Sequence, residues 1–336
     1  MTRQTRVLVV GGGSIGERHV RCFLATGRAA VSLCDSSAEI RDRLAARYRI
    51  EQTFATLDAA LEAQADVAVV ATPAPLHVPM ARRLIERGAN VLIEKPLSTS
   101  REGIAELVGE ARRRGRVVGA AYVLRHEPGI VAVRRAVRSG QFGPPLELVY
   151  QGGQDFPSFR PAYREIYYRR RATGGGAIQD ALTHIINAAE WIVGPMTDVA
   201  ADADRLALEG VEVEDTVHVI ARHGGLPASY ALNQHQPPNE SYLQINCRAG
   251  SVRLESHAKR WKQMRRGEDR WQVVPYVIAD RDTLFITQAG AFLDAASRRS
   301  DVACPIDEAA QTLRACLAML TAADEHRWVS VDDETA

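Results

Sequence analysis

The chain has 336 residues, with 42 Lys and Arg against 41 Asp and Glu, and 46% of its residues are hydrophobic. This length predicts two domains with sizeable cores and excludes a small scaffold held together by disulfides. The net charge of +1 gives no electrostatic reason to expect nucleic acid or an acidic membrane as a partner. Because no apolar run approaches a membrane span, we expect a cytoplasmic protein.

The five cysteines include no Cys-x-x-Cys pair, which favours reduced thiols and no metal site. Lysine is scarce, and only Lys95, Lys259 and Lys262 occur among the 42 cationic residues. A coding bias toward arginine explains this scarcity. Arginine nevertheless cannot release its proton in a protein, whereas a buried lysine can donate or accept one. Lys95 is therefore a candidate for proton chemistry.

The first part of the chain alternates short apolar runs with helical patterns. The predicted strands cover residues 6–10, 31–34, 66–71, 90–93 and 116–121. The predicted helices cover residues 14–27, 37–47, 76–87 and 101–114. Continuous apolar runs are typical of parallel strands that are covered by helices on both faces. We therefore expect an α/β domain with a doubly wound parallel sheet over residues 1–122.

The pattern changes after Tyr122 to one that is richer in alternating strands. Helices are predicted at 128–139, 176–193, 283–298 and 306–325, and an apolar run lies at 146–151. Strand-like alternation occurs at Val211, Val213, Val217 and Val219 and within 226–234, 242–255 and 271–279. A second α/β domain with a large, mostly antiparallel sheet is therefore predicted over residues 123–304. We expect the last helix, at about 305–325, to pack back on the first domain.

Three glycines lie between the first predicted strand and the first predicted helix. Gly11, Gly13 and Gly16 form the Gly-x-Gly-x-x-Gly pattern of a Rossmann domain. Gly11 permits a tight turn, Gly13 lets the backbone approach a pyrophosphate, and Gly16 allows close packing of the helix. The amides at the start of the helix, at Ser14 and Ile15, suit the anion. This pattern predicts a dinucleotide cofactor.

Asp35 lies about 20 residues after the glycines, at the end of the second apolar run. A carboxylate at this position accepts the ribose hydroxyls of an adenosine and repels a 2′-phosphate. NAD is therefore favoured over NADP. An alternative is that Asp35 caps the helix that begins near Ser36 and Ser37.

Two further loops follow the apolar runs at 66–71 and 90–93. In a sheet of this kind the ligand binds at the carboxyl ends of the strands, so both loops are expected beside the cofactor. They contain Ala71, Thr72, Pro73 and His77, and Glu94, Lys95 and Pro96. His77 either faces the nicotinamide end or packs at the start of a helix.

Four segments together resemble the glucose-fructose oxidoreductase, inositol dehydrogenase and rhizopine catabolism (Gfo/Idh/MocA) family. They are residues 11–19, Ala71-Thr72-Pro73 with His77, Glu94-Lys95-Pro96, and residues 174–184. The resemblance spans nearly the whole chain. It implies a Rossmann domain joined to an α/β domain, and a homo-oligomer that forms through the second sheet. It also implies an NAD(P)-dependent dehydrogenase of sugars, polyols or related hydroxy compounds.

The resemblance further implies that Lys95, Asp180 and His184 line the space in front of the nicotinamide. Asp180 and His184 are four residues apart on a predicted helix, so the carboxylate can orient the imidazole. His184 suits the role of base, and Lys95 suits the stabilisation of an alkoxide, but the two roles can also be exchanged. Asn187 stands where family members often carry an acid, so we expect it to form hydrogen bonds with the substrate.

A loop rich in aromatic residues and arginines, residues 155–171, leads into the Gly174 turn. The residues expected to contact the substrate are Arg125, Arg160, Tyr163, Arg164 and Asn187. One hypothesis is a carboxylated, phosphorylated or nucleotide-bearing sugar. The other is that this loop is a solvated lid or a subunit contact.

Three functions fit these residues. The first is an NAD-dependent oxidoreductase that oxidises a secondary alcohol of a sugar or cyclitol, or reduces the ketone. The second retains its cofactor and uses it for redox-assisted elimination or glycoside cleavage, without net accumulation of NADH. The third is a dinucleotide-binding regulator without turnover, against which the presence of Lys95, Asp180 and His184 argues.

Overall fold

The computed structural model describes residues 4–333, and the chain divides into two compact units. The first unit contains the residues up to Val123 together with Ala279–Ala310. The second unit contains Leu124–Ile278 and the residues from Gln311 onward. The segment Ala279–Ala310 therefore belongs to the first unit, although parts of the second unit precede and follow it in sequence.

Within residues 4–333, the first unit contains a sheet of six parallel strands in the order β3-β2-β1-β4-β5-β6. The strands are β1 (Thr5–Val10), β2 (Ala29–Cys34), β3 (Thr53–Phe54), β4 (Val67–Val70), β5 (Asn90–Ile93) and β6 (Val118–Ala120). All four residues of β4 are buried, as expected for a strand covered on both faces. The order of the strands reverses between β1 and β4. In a Rossmann sheet the ligand binds at this point, outside the carboxyl ends of the strands. The predicted doubly wound parallel sheet is thus confirmed.

The helices that follow these strands are α1 (Ser14–Ala25), α2 (Ala38–Tyr48), α3 (Leu57–Glu62), α4 (His77–Glu86) and α5 (Ile104–Arg113). Val20 and Phe23 of α1 are fully buried and pack with Val7 and Val9 of β1. This packing fixes α1 directly behind the strand that leads to the three glycines. The short elements β3 and α3 were not predicted from the sequence.

The second unit is built on a larger sheet. In the described part of the chain it has nine strands, in the order β14-β13-β12-β11-β7-β10-β9-β8-β15. They are β7 (Pro145–Asp155), β8 (Asp198–Asp204), β9 (Thr216–His223), β10 (Leu226–Asn233), β11 (His235–Cys247), β12 (Gly250–Glu255), β13 (Arg260–Arg265), β14 (Gln272–Pro275) and β15 (Val329–Ser330). Neighbouring strands are antiparallel except β7 and β10, which are parallel. The prediction of a mostly antiparallel second sheet is confirmed.

The remaining helices are α6 (Pro128–Arg138), α7 (Phe156–Phe159), α8 (Thr183–Val193), α9 (Arg281–Ala296) and α10 (Ile306–Glu325). The first unit contains α9, whereas α10 contributes residues to both units. In the second unit, α6, α8 and the later part of α10 bury apolar side chains with one face of the large sheet. None of the helices in residues 4–333 is long and apolar enough to cross a membrane.

One predicted strand start is wrong. Val211 and Val213 alternate like strand residues, but they lie in the loop before β9, which begins only at Thr216. Both are buried, together with Phe156, Tyr168 and Leu208 among others, in a small apolar cluster. Their alternation therefore reflects the packing of a loop and not that of a sheet.

Candidate active site

The three glycines form a turn whose shape depends on missing side chains. Gly11 has φ +96°, and a Cβ there would lie 2.6 Å from the carbonyl oxygen of Ala71. A Cβ at Gly16 would overlap the carbonyl oxygen of Gly11. At Gly13, in contrast, a Cβ would meet no atom within 4 Å. Gly11 and Gly16 are thus required by internal packing, and Gly13 leaves its backbone open to a ligand.

The loops after three neighbouring strands lie at one edge of the first sheet. Val10 pairs with Val70, and Val70 pairs with Ile93, so β1, β4 and β5 end at the same level. The amide of Ala71 donates to Val10 O, at 2.8 Å, and that of Glu94 donates to Val70 O, at 2.9 Å. The glycine turn, the loop that starts at Ala71 and the turn that contains Lys95 are therefore neighbours within the first unit.

Asp35 receives hydrogen bonds from both sides. Its Oδ2 accepts from Gly12 N at 2.6 Å, and its Oδ1 accepts from Ser37 N at 2.8 Å. The capping alternative is wrong, because the N-cap of α2 is Ser37, whose hydroxyl accepts from Ile40 N. Arg41 lies beside this segment and donates to Asp35 O at 2.7 Å. Asp35 is thus fixed against the glycine turn.

A buried hydrogen bond supports the turn that contains Lys95. His19 Nε2 on α1 lies 2.6 Å from Glu94 Oε1, and the amide of Lys95 donates to Glu94 Oε2 at 3.0 Å. Both His19 and Glu94 are buried. Burial would raise the pKa of Glu94, but the hydrogen bond from His19 and the charges of His19 and Lys95 hold this pKa below its usual value. Glu94 therefore remains a carboxylate that joins α1 to the backbone of Lys95.

His77 connects the two loops that the sequence places beside the cofactor. It is buried at the start of α4, and its ring nitrogens lie 2.9 Å from Pro96 O and 2.8 Å from Thr72 O. Neutral imidazole has a single N–H, so it donates to one of these carbonyls at a time. Burial lowers the pKa of His77 and favours this neutral form. The side chain thus joins the loop of Ala71, Thr72 and Pro73 to the Lys95 turn.

Asp180 and His184 lie in the second unit, whereas Lys95 lies in the first. Asp180 and His184 are both half-buried. The predicted helix at 176–193 begins differently from an α-helix, because residues Ala177–Leu182 form a π-helical turn that continues into α8. Single π-helical turns occur frequently at functional sites. The simple α-helical face that we predicted for Asp180 and His184 is therefore interrupted between them.

Two residues that sequence reasoning missed hold this turn in place. Glu214 caps it from another segment, because its Oε1 accepts from Ile178 N and its carbonyl oxygen accepts from Ala177 N, both at 2.9 Å. Burial raises the pKa of this carboxyl group. Tyr167 donates its hydroxyl to Asp180 Oδ1 at 2.7 Å. No regular spacing in the sequence indicates either contact, since Glu214 and Ile178 are 36 residues apart and Tyr167 and Asp180 are 13 residues apart.

The loop before the Gly174 turn packs against itself and against residues 208–213. Tyr163 is buried, and its ring lies in the cluster formed with Phe156 and Tyr168. Arg164 stacks over the Tyr163 ring and donates to Glu209 O at 2.9 Å. Arg160, by comparison, is half-buried. The side chains of Tyr163 and Arg164 are therefore engaged in the packing of the loop.

Arg125 and Asn187, both predicted to contact the substrate, contact each other. Arg125 Nε donates to Asn187 Oδ1 at 2.7 Å, and both side chains are buried. The guanidinium of Arg125 also lies 5.3 Å from the centre of the Trp191 ring, which is a cation–π distance.

Within residues 4–333, no group of three or more His, Cys, Asp or Glu side chains is arranged to hold a metal ion. All five cysteines are buried thiols. Burial raises the pKa of Cys34 to about 11 and that of Cys22 to about 12. These thiols are therefore protonated near neutral pH and poor nucleophiles.

Comparison with curated proteins finds sugar and cyclitol dehydrogenases. The chain is 28% identical over 194 residues to an inositol 2-dehydrogenase/D-chiro-inositol 3-dehydrogenase of Shouchella clausii. The aligned residues cover 56% of this chain and 53% of that relative. It is also 24% identical over 258 residues to a D-apiose dehydrogenase of Paraburkholderia graminis, and this alignment covers 74% of this chain and 67% of that relative. The match thus spans about half the length of the inositol relative.

Solved structures share the fold of the whole chain. A levoglucosan dehydrogenase in complex with NADH and levoglucosan has a TM-score of 0.89 at 19% identity, with 98% of this chain and 100% of that chain covered. The WlbA dehydrogenase from Bordetella pertussis, in complex with NADH and UDP-GlcNAcA, has a TM-score of 0.84 at 24% identity, with 98% and 99% covered. At these identities the likeness supports the fold alone.

Family models match both units. Residues 5–122 match the oxidoreductase family with an NAD-binding Rossmann fold, and residues 130–253 match the Gfo/Idh/MocA C-terminal domain. The family resemblance noted in the sequence is thus confirmed over both parts of the chain. The chain belongs to the Gfo/Idh/MocA family of oxidoreductases, and its first unit carries the NAD-binding Rossmann fold of that family.

Proposed function

We propose that the chain is an NAD-dependent dehydrogenase that oxidises a secondary alcohol of a sugar, cyclitol or sugar derivative, or reduces the corresponding ketone. The observation that carries this proposal is the buried contact between His19 and Glu94. It joins α1, the helix that starts at the glycine turn, to the backbone of Lys95. The helix that follows the cofactor turn and the backbone of Lys95 are thereby joined within the first unit.

The residues of the first unit fit NAD. The open backbone at Gly13 and the start of α1 at Ser14 suit a pyrophosphate, because amides in the first turn of a helix have no acceptors within that helix. Asp35, fixed by Gly12 and Ser37, keeps further lone pairs for ribose hydroxyls. When bound, NAD supplies the acceptor for a hydride.

The proton chemistry falls to the chain's own side chains. Hydride leaves a carbinol carbon only as the hydroxyl proton departs, so the reaction needs a base and a group that stabilises the alkoxide. We assign the first role to His184, since imidazole is a common base at neutral pH. We assign the second role to Lys95, whose ammonium group donates to developing negative charge. We assign to Asp180, which accepts a hydrogen bond from Tyr167, the role of orienting the base.

The substrate is proposed to be a polyhydroxy compound that does not require an acidic group. The curated relatives carry the names of inositol and apiose dehydrogenases. Two arginines of the loop at 155–171 already face acids, since Arg171 pairs with Asp324 and Arg170 lies 3.7 Å from Glu212. Arg125 and Asn187 remain the proposed substrate contacts of the second unit.

A dehydrogenase screen tests this proposal. The purified chain is incubated with NAD and a panel of polyols, aldoses, uronates and sugar phosphates, and NADH is followed at its absorbance band. Net NADH formation with a neutral polyol or aldose is expected. Conversion of a substrate without net NADH would instead support redox-assisted elimination or glycoside cleavage, and NAD binding without any conversion would support a regulator.

Cofactor preference is predicted to depend on the charge of Asp35. Asp35→Asn keeps the size of the side chain and one of its two acceptor oxygens, and it removes the charge that repels a 2′-phosphate. The ratio of kcat/KM with NADP to that with NAD is expected to rise by about tenfold or more, because like charges placed together cost several kcal/mol. Arg41→Ala in the Asp35→Asn background should reduce this gain, since Arg41 is the neighbouring cation. An unchanged ratio would contradict the ribose assignment.

We also propose that the chain forms a homo-oligomer through the open face of the second sheet. On β9 the side chains alternate between buried and exposed, and Ile220 is 60% exposed. Ile220 and Trp328, which is 52% exposed, line one shallow depression. Clusters of exposed apolar side chains of this kind mark interaction surfaces.

Replacing Ile220 by Arg is predicted to shift the oligomer toward monomer, because a charge would be buried in the interface. Light scattering coupled to gel filtration measures the mass of each species. Leu206→Arg is the matched control, since Leu206 is 65% exposed in a loop outside this sheet. A monomeric parent chain, or an Ile220→Arg oligomer of unchanged mass, would contradict the proposal.

A further inference from the structure

A chain of hydrogen bonds between buried side chains extends from Arg125 into the core of the second unit. Arg125 Nε donates to Asn187 Oδ1 at 2.7 Å, and Asn187 Nδ2 donates to Thr312 Oγ1 at 2.9 Å. Thr312 Oγ1 in turn donates to Glu190 Oε2 at 2.6 Å. None of the four residues is more than 9% exposed. The mechanism proposed above uses neither Thr312 nor Glu190.

The direction of these hydrogen bonds is fixed at the arginine. A guanidinium group only donates and does not lose its proton in a protein, so the amide oxygen of Asn187 must face Arg125. The amide nitrogen of Asn187 must then face Thr312. The Thr312 hydroxyl, which accepts from that nitrogen, directs its own hydrogen at Glu190. Glu190 Oε2 therefore acts as an acceptor.

The second oxygen of Glu190 also faces donors. Its Oε1 accepts from Gln311 Nε2 and from Met196 N, each at 3.2 Å. Among the described residues, three donors thus converge on the two oxygens of this carboxylate. Oε1 already accepts from two donors, so a proton would add to Oε2. The hydroxyl oxygen of a carboxylic acid is a poorer acceptor than a carboxylate oxygen, so protonation weakens the hydrogen bond from Thr312. The full strength of this hydrogen bond therefore requires the ionised form.

Burial opposes that requirement. It raises the pKa of Glu190 to about 7, against the hydrogen bonds from Thr312, Met196 and Gln311 and the charge of Arg125. The other titratable groups that face Glu190 stay neutral in this range. They are Tyr230 of β10 and Cys316 of α10, and burial raises the pKa of both. The charge of Glu190 therefore changes near neutral pH while its surroundings do not.

We propose that Glu190 is a positioning residue whose carboxylate, acting through Thr312 and Asn187, holds the guanidinium of Arg125 in one orientation. Protonation of Glu190 breaks this arrangement, so Arg125 is held above about pH 7 and released below it. The expected effect on KM rests on the proposed function, in which Arg125 contacts the substrate. The expected effect of pH on the stability of the fold does not depend on that function.

Thermal unfolding between pH 5 and pH 8 tests the titration of Glu190 without a substrate. The pKa of Glu190 is about 7 in the folded chain, against its ordinary value of 4.5. Between pH 4.5 and pH 7 the folded chain therefore holds one proton more at this residue than the unfolded chain. The contribution of this proton to the free energy of unfolding is fully present below pH 4.5 and is lost as the pH rises through 7. Glu190→Gln cannot titrate, so its Tm relative to the parent is expected to rise from pH 5 to pH 8. A constant difference would overturn the proposal.

Coupling to Arg125 is tested by a double-mutant cycle with Glu190→Gln and Arg125→Met. At pH 8 the two changes in Tm should be non-additive, because the charge of Arg125 stabilises the ionised form of Glu190 and each single variant removes one of these two coupled charges. At pH 5, where Glu190 is protonated, they should be additive. Additive changes at both pH values would overturn the proposal.

The Thr312 variants keep the proposal testable if Arg125→Met does not fold. Thr312→Val is nearly isosteric and removes the hydroxyl, which should raise the pH at which Glu190 titrates. Thr312→Ser retains the hydroxyl and should match the parent. Equal pH profiles for the valine and serine variants would contradict a link through this hydroxyl.

The kinetic readout uses the alcohol that gives the most NADH in the screen. At pH 8, Thr312→Val is expected to raise KM for that alcohol about tenfold with kcat within about threefold, as for the loss of a binding contact. Thr312→Ser should restore the parent KM. If no alcohol is oxidised, the proposed function fails, and the unfolding measurements still decide the role of Glu190.

Discussion

Replacing His184 by alanine is expected to lower kcat by roughly 10² to 10⁴, the usual contribution of general base catalysis. The loss arises because no imidazole remains to accept the hydroxyl proton as hydride departs. Binding of NAD should be unchanged, since the glycine turn and Asp35 belong to the first unit and His184 to the second. Single-turnover formation of NADH, together with calorimetric titration of NAD, measures both quantities.

His235→Ala is a suitable control for this measurement, because His235 is an exposed residue at the start of β11. It should retain the kcat of the parent chain. A second variant, His184→Gln, keeps hydrogen bonding and removes the base, so it should be as slow as the alanine variant. Turnover of His184→Ala within about threefold of the parent would remove His184 from the proton transfer.

The parallel sheet could be predicted because its strands are short, mostly apolar and regularly separated by helices. Val67–Val70 and Asn90–Ile93 are interior strands of this kind, and their patterns located both within one or two residues. The missed elements carry weaker patterns. β3 has two residues, and β13 (Arg260–Arg265) has mostly polar side chains near the edge of its sheet. Edge strands need less apolar surface, so periodicity does not reveal them.

The second unit shows where alternation misleads. β8 (Asp198–Asp204) alternates Ala with Asp and was not predicted, although it pairs with β9 along its whole length. Val211 and Val213 alternate like a strand, yet their side chains fill the cluster beneath a loop. In both segments the tertiary contacts decide the local structure, and a pattern of apolar residues does not encode those contacts.

The candidate site also contains some features that the sequence predicts and others that it does not. Gly11 and Gly16 could be predicted because each answers a local demand of the backbone next to one strand end. The contact of His19 with Glu94 joins residues 75 positions apart, so no spacing rule identifies it. The sequence signals for His19 are its place three residues after Gly16 and its position at the end of the segment 11–19 that resembles the family. The π-helical turn at Ala177–Leu182 is equally hidden, since it depends on Glu214 from a distant segment.

Replacing Lys95 by methionine is expected to lower kcat by roughly 10² to 10³, as when one donor to a developing oxyanion is removed. Methionine keeps the length of the side chain and removes its charge. The backbone amide of Lys95 and its hydrogen bond to Glu94 are retained, so the turn itself should keep its structure. Stopped-flow measurement of NADH formation gives the rate, and calorimetry checks that the affinity for NAD is unchanged.

Lys95→Arg separates the two roles that remain open for the amine. Arginine keeps the positive charge but cannot exchange its proton. If Lys95 acts only by stabilising the alkoxide, the arginine variant should recover much of the rate lost in the methionine variant. If Lys95 also transfers a proton, both variants should be equally slow. Lys262→Met is the control. It removes the ion pair between Lys262 on β13 and Glu255 on β12, and it should retain the parent kcat. A Lys95→Met variant with kcat within about threefold of the parent would remove the amine from the chemistry.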